Sequence, residues 1–382
     1  MTKPPKFISL FPSAAWREIL ALAEHPLRDA GGREKQIASG ERSHAPGMKV
    51  IFAYKNFAAA RHISHIGLGV AAINTVKVLR REGILAEVWP IVSADDLERR
   101  LANESADHVI VSAPWIPTAK LQQLTTAHLN MVFAVNCHSN VGFLQADRNG
   151  MKLVREAMDL EMGTHNFHLG GNCRRFARWV RSAFGVPCAF LPNLYYIGEP
   201  VPSPARRFTD GTLRIGIFGA TRSQKNLMSA AGAALEISRT LRAPLELWMS
   251  AGRTEGGGDT VLAAVQELLA NLPNVKLILN GWQSWPQFRR VVAQMHLLLQ
   301  PSYTESFNMV TADGVAEGVA SVVSRAIGWA PEHWKADVDD VVDIARVGRQ
   351  LLTDNCAAAD GLEALKAFNA DGLRVYREYF GT

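Results

Sequence analysis

Two stretches of this 382-residue chain place charged side chains where a scaffold has no need of them. In "PSYTESFNMVTADGVAEGVASVVS" (301–324) an apolar run gives way to a helical pattern that carries Glu305 and, eight residues on, Asp313. With Thr304 or Glu305 as the cap, the backbone N–H groups of Ser306, Phe307, Asn308 and Met309 lack intrahelical acceptors and offer an anion site. Glu305 at that mouth accepts hydrogen bonds from hydroxyls. At 3.6 residues per turn Asp313 is rotated by about 80°, so one extended ligand meets both carboxylates. In "LRIGIFGATRSQKNLM" (213–228) Gly219 ends a strand pattern, and Arg222 and Lys225 follow in a short polar loop. A guanidinium and an ammonium three residues apart bracket a diphosphate. Phosphate, ribose diol and sugar hydroxyls together describe a nucleotide sugar. The plainer alternatives are a helix with acidic residues in its first turns and two solvated loop cations.

These groups need a frame. Short apolar runs of strand length recur at 48–54, 85–91, 107–113, 131–137, 164–169 and 188–193, with helical patterns between most of them. That rhythm predicts a parallel sheet covered on both faces. The Pro-rich, polar stretch "YYIGEPVPSPARRFTDG" (195–211) interrupts it, and the rhythm restarts at "LRIGIFGA". The expected organisation is an N-terminal extension over 1–46, one doubly wound domain over 47–198 and a second over 199–382, whose last helices can pack back on the first. Ligands in such sheets bind beyond the carboxyl ends of the strands, so the expected site is the cleft between the two domains.

The 301–324 stretch resembles the signature of retaining GT-B glycosyltransferases, the family of sucrose and glycogen synthases and bacterial mannosyltransferases. That signature has Glu, seven residues, then Glu; here Asp313 stands at the second position. The resemblance implies an α/β GT-B fold, two Rossmann-like domains facing a central cleft. The first would be the acceptor side and the second the donor side. It further implies that Glu305 binds donor-sugar hydroxyls, that the Phe307–Met309 amides hold sugar or phosphate, and that Asp313 meets the ribose. Arg222 and Lys225 would stabilise the leaving diphosphate, and His138, in "NCHSNVGF", would touch the donor sugar. A glycine loop with Gly67 and Gly69 would lie near the donor phosphates, with His62 and His65 toward the acceptor. The implied donor is a UDP-sugar such as UDP-glucose, with no cofactor or metal required.

Other motifs point elsewhere. Gly67, Gly69, Ala72 and, twenty residues after Gly67, Glu87 match the spacing of an NAD-binding fingerprint. However, about ten residues separate the first strand from Gly67, whereas the fingerprint needs a tight turn. Asp337 and Asp339 match a D-x-D metal motif but read as an acidic helix start. Arg174, Arg178 and Arg181 lie along one face of "NCRRFARWVRSAFG", with Phe176, Val180 and Phe184 on another. The aromatic side is expected to pack on the sheet, and the basic side offers a face to lipid headgroups or DNA phosphates.

Residues 1–200 hold 23 Lys/Arg against 17 Asp/Glu, and residues 201–382 hold 18 against 19. The basic excess sits on the acceptor side and points to an anionic acceptor: a phosphorylated small molecule, anionic lipid or DNA. The GT-B resemblance adds DNA bearing hydroxymethylpyrimidines, which some enzymes of that architecture glycosylate. The four cysteines form no C-x-x-C pair, so neither zinc nor a disulfide framework is suggested. No apolar run is long enough to span a bilayer and no signal-peptide pattern opens the chain, so a cytoplasmic protein is expected. An oxidoreductase and a non-catalytic or epimerase-like GT-B protein stand as the readings of other classes.

Overall fold

The computed structural model describes residues 48–56, 66–198 and 210–382. The extension 1–46, His62 and His65 lie outside them.

The first sheet contains β1 (Lys49–Lys55), β2 (Leu85–Ile91), β3 (His108–Ser112), β4 (Val132–Cys137), β5 (Phe167–Gly171) and β6 (Ala189–Phe190). All are parallel, in the order β2-β1-β3-β4-β5-β6. Along β1, Val50, Phe52 and Tyr54 enter one core while Ile51 and Ala53 enter the other. A strand buried on both faces must be apolar throughout, which is why it reads as an unbroken run. Helices α1 (Ile66–Arg81), α2 (Ala94–Leu101), α3 (Thr118–Ala127), α4 (Val141–Leu144), α5 (Arg148–Gly163) and α6 (Arg174–Phe184) connect the strands. Helix α5 follows the apolar run at 131–137 after a polar stretch. Its Met151, Val154 and Met158 recur at helical spacing, and Asp147 caps it by accepting from the Gly150 N–H at 2.8 Å.

The second sheet contains β7 (Leu213–Ile217), β8 (Leu245–Ser250), β9 (Val275–Asn280), β10 (Leu297–Gln300) and β11 (Ser321–Val323), parallel in the order β11-β10-β7-β8-β9. It is covered by α7 (Leu227–Leu241), α8 (Gly258–Leu269), α9 (Trp285–Val292), α10 (Met309–Ala316) and α11 (Val341–Thr353). From β7 the chain winds outward through β8 and β9, then returns to place β10 on the other side of β7. The crevice where winding reverses opens beyond the carboxyl ends of β7 and β10.

The last helix, α12 (Ala357–Phe380), belongs to both cores. Leu365 is buried with the second sheet, while Tyr376 and Phe380 are buried with the first. Asn369 clamps the chain at Tyr195 from both sides, donating to its carbonyl at 2.7 Å and accepting from its N–H at 3.0 Å.

Candidate active site between the sheets

Glu305 and Lys225 meet at the switch point of the second sheet. Lys225 closes a short 3-10 turn (Ser223–Lys225) after β7, and Glu305 follows β10. Lys225 Nζ lies 2.5 Å from Glu305 Oε1, and both residues are only 8% exposed. Burial pushes the Glu305 carboxyl up, but Lys225 and Arg222 outweigh it and hold the group below its ordinary value, ionised. Asn308 Nδ2 adds a bond to the same oxygen at 3.2 Å and another to Gln300 at 3.1 Å. Gly219, at the end of β7, has φ +118°, a conformation that favours glycine. A Cβ there would also sit 3.2 Å from Lys225 Cε.

Arg222 lines the same cleft. Its guanidinium stacks over Phe143 at 5.0 Å and reaches Glu255 at 3.4 Å, leaving Nε buried without a partner. From the first sheet, His138 follows β4 and faces the cleft; burial lowers its pKa to about 4, so the imidazole is neutral near pH 7. Its Nε2 has no partner. Three bonds join the halves here: Asn140 Nδ2 to the Glu305 carbonyl at 3.2 Å, Ser306 Oγ to the His138 carbonyl at 2.9 Å, and Asn172 Nδ2 to Ser306 Oγ at 3.2 Å. The cleft left between them holds about 80 Å³. That admits a few waters and is far below the roughly 300–1,000 Å³ of ligand pockets. A nucleotide sugar seated in this pocket would need the halves to part there. Parting them would also break the bonds that Arg175 donates to the Arg325 and Ala326 carbonyls and lift Arg222 off Phe143.

Gly142 of α4 marks how close the halves come, since an added Cβ would sit 2.8 Å from Thr304 Oγ1. Gly142→Val is expected to wedge them apart. Small-angle scattering would register a larger radius of gyration than for the unaltered chain; an unchanged radius would show that the closure is set elsewhere.

Several expectations change. Asn308, not Thr304 or Glu305, caps α10; its side chain accepts from the Thr311 N–H at 2.9 Å with φ +67°. The helix starts at Met309, so Ser306 and Phe307 precede it rather than forming its first turn. Phe307 is 1% exposed and its ring stacks on Trp329 at 5.5 Å, which makes that side chain core. Met309 is partly buried against the same core. Asp313 is 3% exposed, and its Oδ1 accepts from the Tyr195 hydroxyl at 2.6 Å and from Trp285 Nε1 at 2.9 Å.

Gly67 and Gly69 lie in the first turn of α1. Gly67 is exposed, whereas Gly69 is buried against the Tyr54 ring, where a Cβ would come within 2.9 Å. Glu87 sits within β2 and pairs with Lys49 at 3.0 Å, away from the strand's carboxyl end. Arg174, Arg178 and Arg181 of α6 do not act together: Arg174 pairs with Asp371 at 2.5 Å, Arg181 donates to the Cys188 carbonyl at 3.4 Å, and Arg178 is exposed. Phe176 and Val180 are fully buried as expected, but Phe184 is 39% exposed. Asp337 and Asp339 belong to the turn that leads to Asp340, which caps α11.

Asn140, Phe143, Asn172, Tyr195 and Trp285 join this arrangement without having been singled out by the sequence, and Ser306, expected to offer its backbone N–H, contributes its hydroxyl. Asn140 and Phe143 stand two and five residues after His138 in the same motif, which is a usable signal. The sequence carries none for Tyr195 and Trp285, which Asp313 joins across 118 and 28 residues.

No protein-family model matches the chain, and no curated protein does. Solved structures match over most of its length. Sucrose-phosphate synthase from Thermosynechococcus elongatus superposes with a TM-score of 0.63 at 13% identity, covering 87% of this chain and 99% of the other. HepE from Anabaena, solved in complex with UDP, gives 0.58 at 13% identity over 87% and 98%. The fold is GT-B. The N-terminal domain of trehalose-6-phosphate phosphatase from Candida albicans also shares it, with a TM-score of 0.59 at 10% identity over 90% and 98%. A GT-B frame thus occurs in proteins named for different activities, so function has to be argued from the site. Among the described residues no helix is long and apolar enough to cross a membrane.

Proposed function

We propose that this GT-B cleft transfers a sugar from a nucleotide diphosphate donor, a UDP-sugar, to an acceptor hydroxyl with retention of configuration. The observation that carries this is the buried Lys225–Glu305 pair, with Arg222 beside it, at the switch point of the second sheet and facing neutral His138. Arg222 and Lys225 supply fixed positive charge where a leaving diphosphate accumulates negative charge. Glu305 is ionised and accepts donor-sugar hydroxyls. His138, uncharged, offers Nε2 as a hydrogen-bond partner. Asn136 Oδ1 and Asn172 Oδ1, at or just beyond the carboxyl ends of β4 and β5, are likewise buried without partners. Buried polar atoms are normally paired, so these are suited to a polar ligand. The cleaved phosphate takes the acceptor proton, so no separate general base is needed. UDP is favoured by the likeness to HepE, solved with UDP.

The basic excess of residues 1–200 supports an anionic acceptor in the first half. A DNA acceptor predicts binding to random duplex that falls steeply with salt; a small anionic acceptor does not.

Arg222→Ala and Glu305→Ala are each expected to lower transfer at least about tenfold, equivalent to about 1.4 kcal/mol of transition-state stabilisation. A thermal-shift screen of nucleotide sugars identifies the donor, and wild-type rates in both folded variants would refute the assignment. The engaged Asp313 and the narrow cleft favour one second reading, a GT-B protein that does not turn over. Donor hydrolysis without acceptor separates the two, since a pure binding protein releases no free sugar.

A further inference from the structure

A groove of about 590 Å³ lies outside the cleft, on the surface of the first half. Its walls are Val141 and Leu144 of α4, Met151 of α5 and Trp179 of α6. Its rim is Arg148, Lys152 and Arg155, spaced four and three residues apart and therefore on one stripe of α5. The aromatic floor continues outward: Trp179 meets Phe184 edge-on at 5.1 Å, and Arg155 lies over the Phe184 ring at 5.6 Å. This explains why Phe184 leaves the core. Lys152 and Arg155 pair with Glu156 at 3.7 Å and Asp159 at 3.5 Å, with side chains 72% and 56% exposed. Such surface pairs are weak and yield readily to a better anion. Arg148 has no ion pair among the described residues.

Apolar walls under a cationic rim complement one kind of ligand: an apolar chain ending in a negative head. We propose that this groove docks on anionic phospholipid, one acyl chain lying along Leu144, Met151 and Trp179 and the phosphate held by Arg148 and Lys152. The volume falls within the range of ligand sites, and the surrounding half carries the chain's whole basic excess. Cations beside aromatic side chains are the pairing that holds proteins at bilayer surfaces. The proposal stands whether or not the cleft transfers a sugar. It would hold the cleft near the membrane, because Asn140 and Phe143, on the other side of α4, face Arg222 and Glu305.

The test is co-sedimentation of the full chain with vesicles of equal parts phosphatidylcholine and phosphatidylglycerol, against phosphatidylcholine alone. Binding is expected to the first and not to the second. The double variant Arg148→Glu/Lys152→Glu, altered only at exposed positions, should bind about thirtyfold more weakly. Trp179→Ser should lose the part of the binding that survives high salt, since that part comes from the buried acyl chain. Equal binding to both vesicles, or wild-type binding by the double variant, overturns the proposal. So does binding that salt abolishes entirely and Trp179→Ser leaves unchanged, which would mark a charged surface without a chain-binding groove. If Trp179→Ser lowers the unfolding midpoint but leaves vesicle binding intact, the groove serves internal packing and the proposal also fails. Inorganic phosphate at the lipid concentration should not compete; full competition would assign the site to free phosphate.

Discussion

Lys225→Met lowers the stability of the folded chain by about 3–5 kcal/mol, because it strands the Glu305 carboxylate in a buried site. The loss comes from leaving a charge unpaired, not from the net strength of the pair. Lys225→Met/Glu305→Leu should therefore recover most of it, since desolvating two ions and then pairing them offsets little better than apolar packing. Urea unfolding of the two single variants and the double gives the coupling directly. Equal losses in the Lys225→Met single and the double would mean that Lys225 acts through packing, and the electrostatic account would be wrong. The same variants separate folding from function. The double variant should be stable and yet inactive in transfer, whereas a stable and active double would remove both residues from the chemistry.

Asp313→Asn should make the chain more stable at neutral pH and flatten its response to acid. Burial raises the Asp313 carboxyl from an ordinary 3.8 to about 6, even though Tyr195 and Trp285 donate to it. Between about pH 4 and 6 the folded chain thus holds a proton that the unfolded chain has released. Stability from this group is fully present below pH 4 and is lost as pH rises toward 6. A shift of that size corresponds to about 3 kcal/mol. Asparagine keeps an Oδ1 to accept both hydrogen bonds and has no charge to desolvate. The difference between wild type and variant, measured by urea unfolding at pH 4 and pH 7, should grow by up to about 3 kcal/mol at the higher pH. A difference independent of pH would show that the carboxylate is not strained by its burial.

Much of the frame is legible in the residues. Strands β1 to β4 coincide closely with the apolar runs at 48–54, 85–91, 107–113 and 131–137, and β7 opens the restarted rhythm at Leu213, because a parallel strand packed on both faces has no polar side to alternate with. Toward one edge of the first sheet the match loosens: β5 starts three residues into the run at 164–169, and β6 takes up only two residues of the run at 188–193. The start of α10 was misplaced because Thr304, Glu305 and Asn308 can all end a helix. Asn308 wins because its positive φ lets its side chain reach Thr311 while its amide binds Glu305. Phe307, expected to lend only its amide to a ligand, turned out to be an aromatic core residue stacked on Trp329.

Alone, the residues determined the kinds of chemistry available: a carboxylate after one strand, two cations after another, and two α/β halves to carry them. Only the tertiary structure decided which of them meet. Lys225 and Glu305 are 80 residues apart and touch because the second sheet reverses its winding and sets β10 beside β7. Strand order is a global outcome of how helices cover both faces, and no local pattern encodes it. For the same reason Asp313 faces Tyr195 and Trp285, since a side chain's partners depend on the packing of distant segments and its own type depends on none of them.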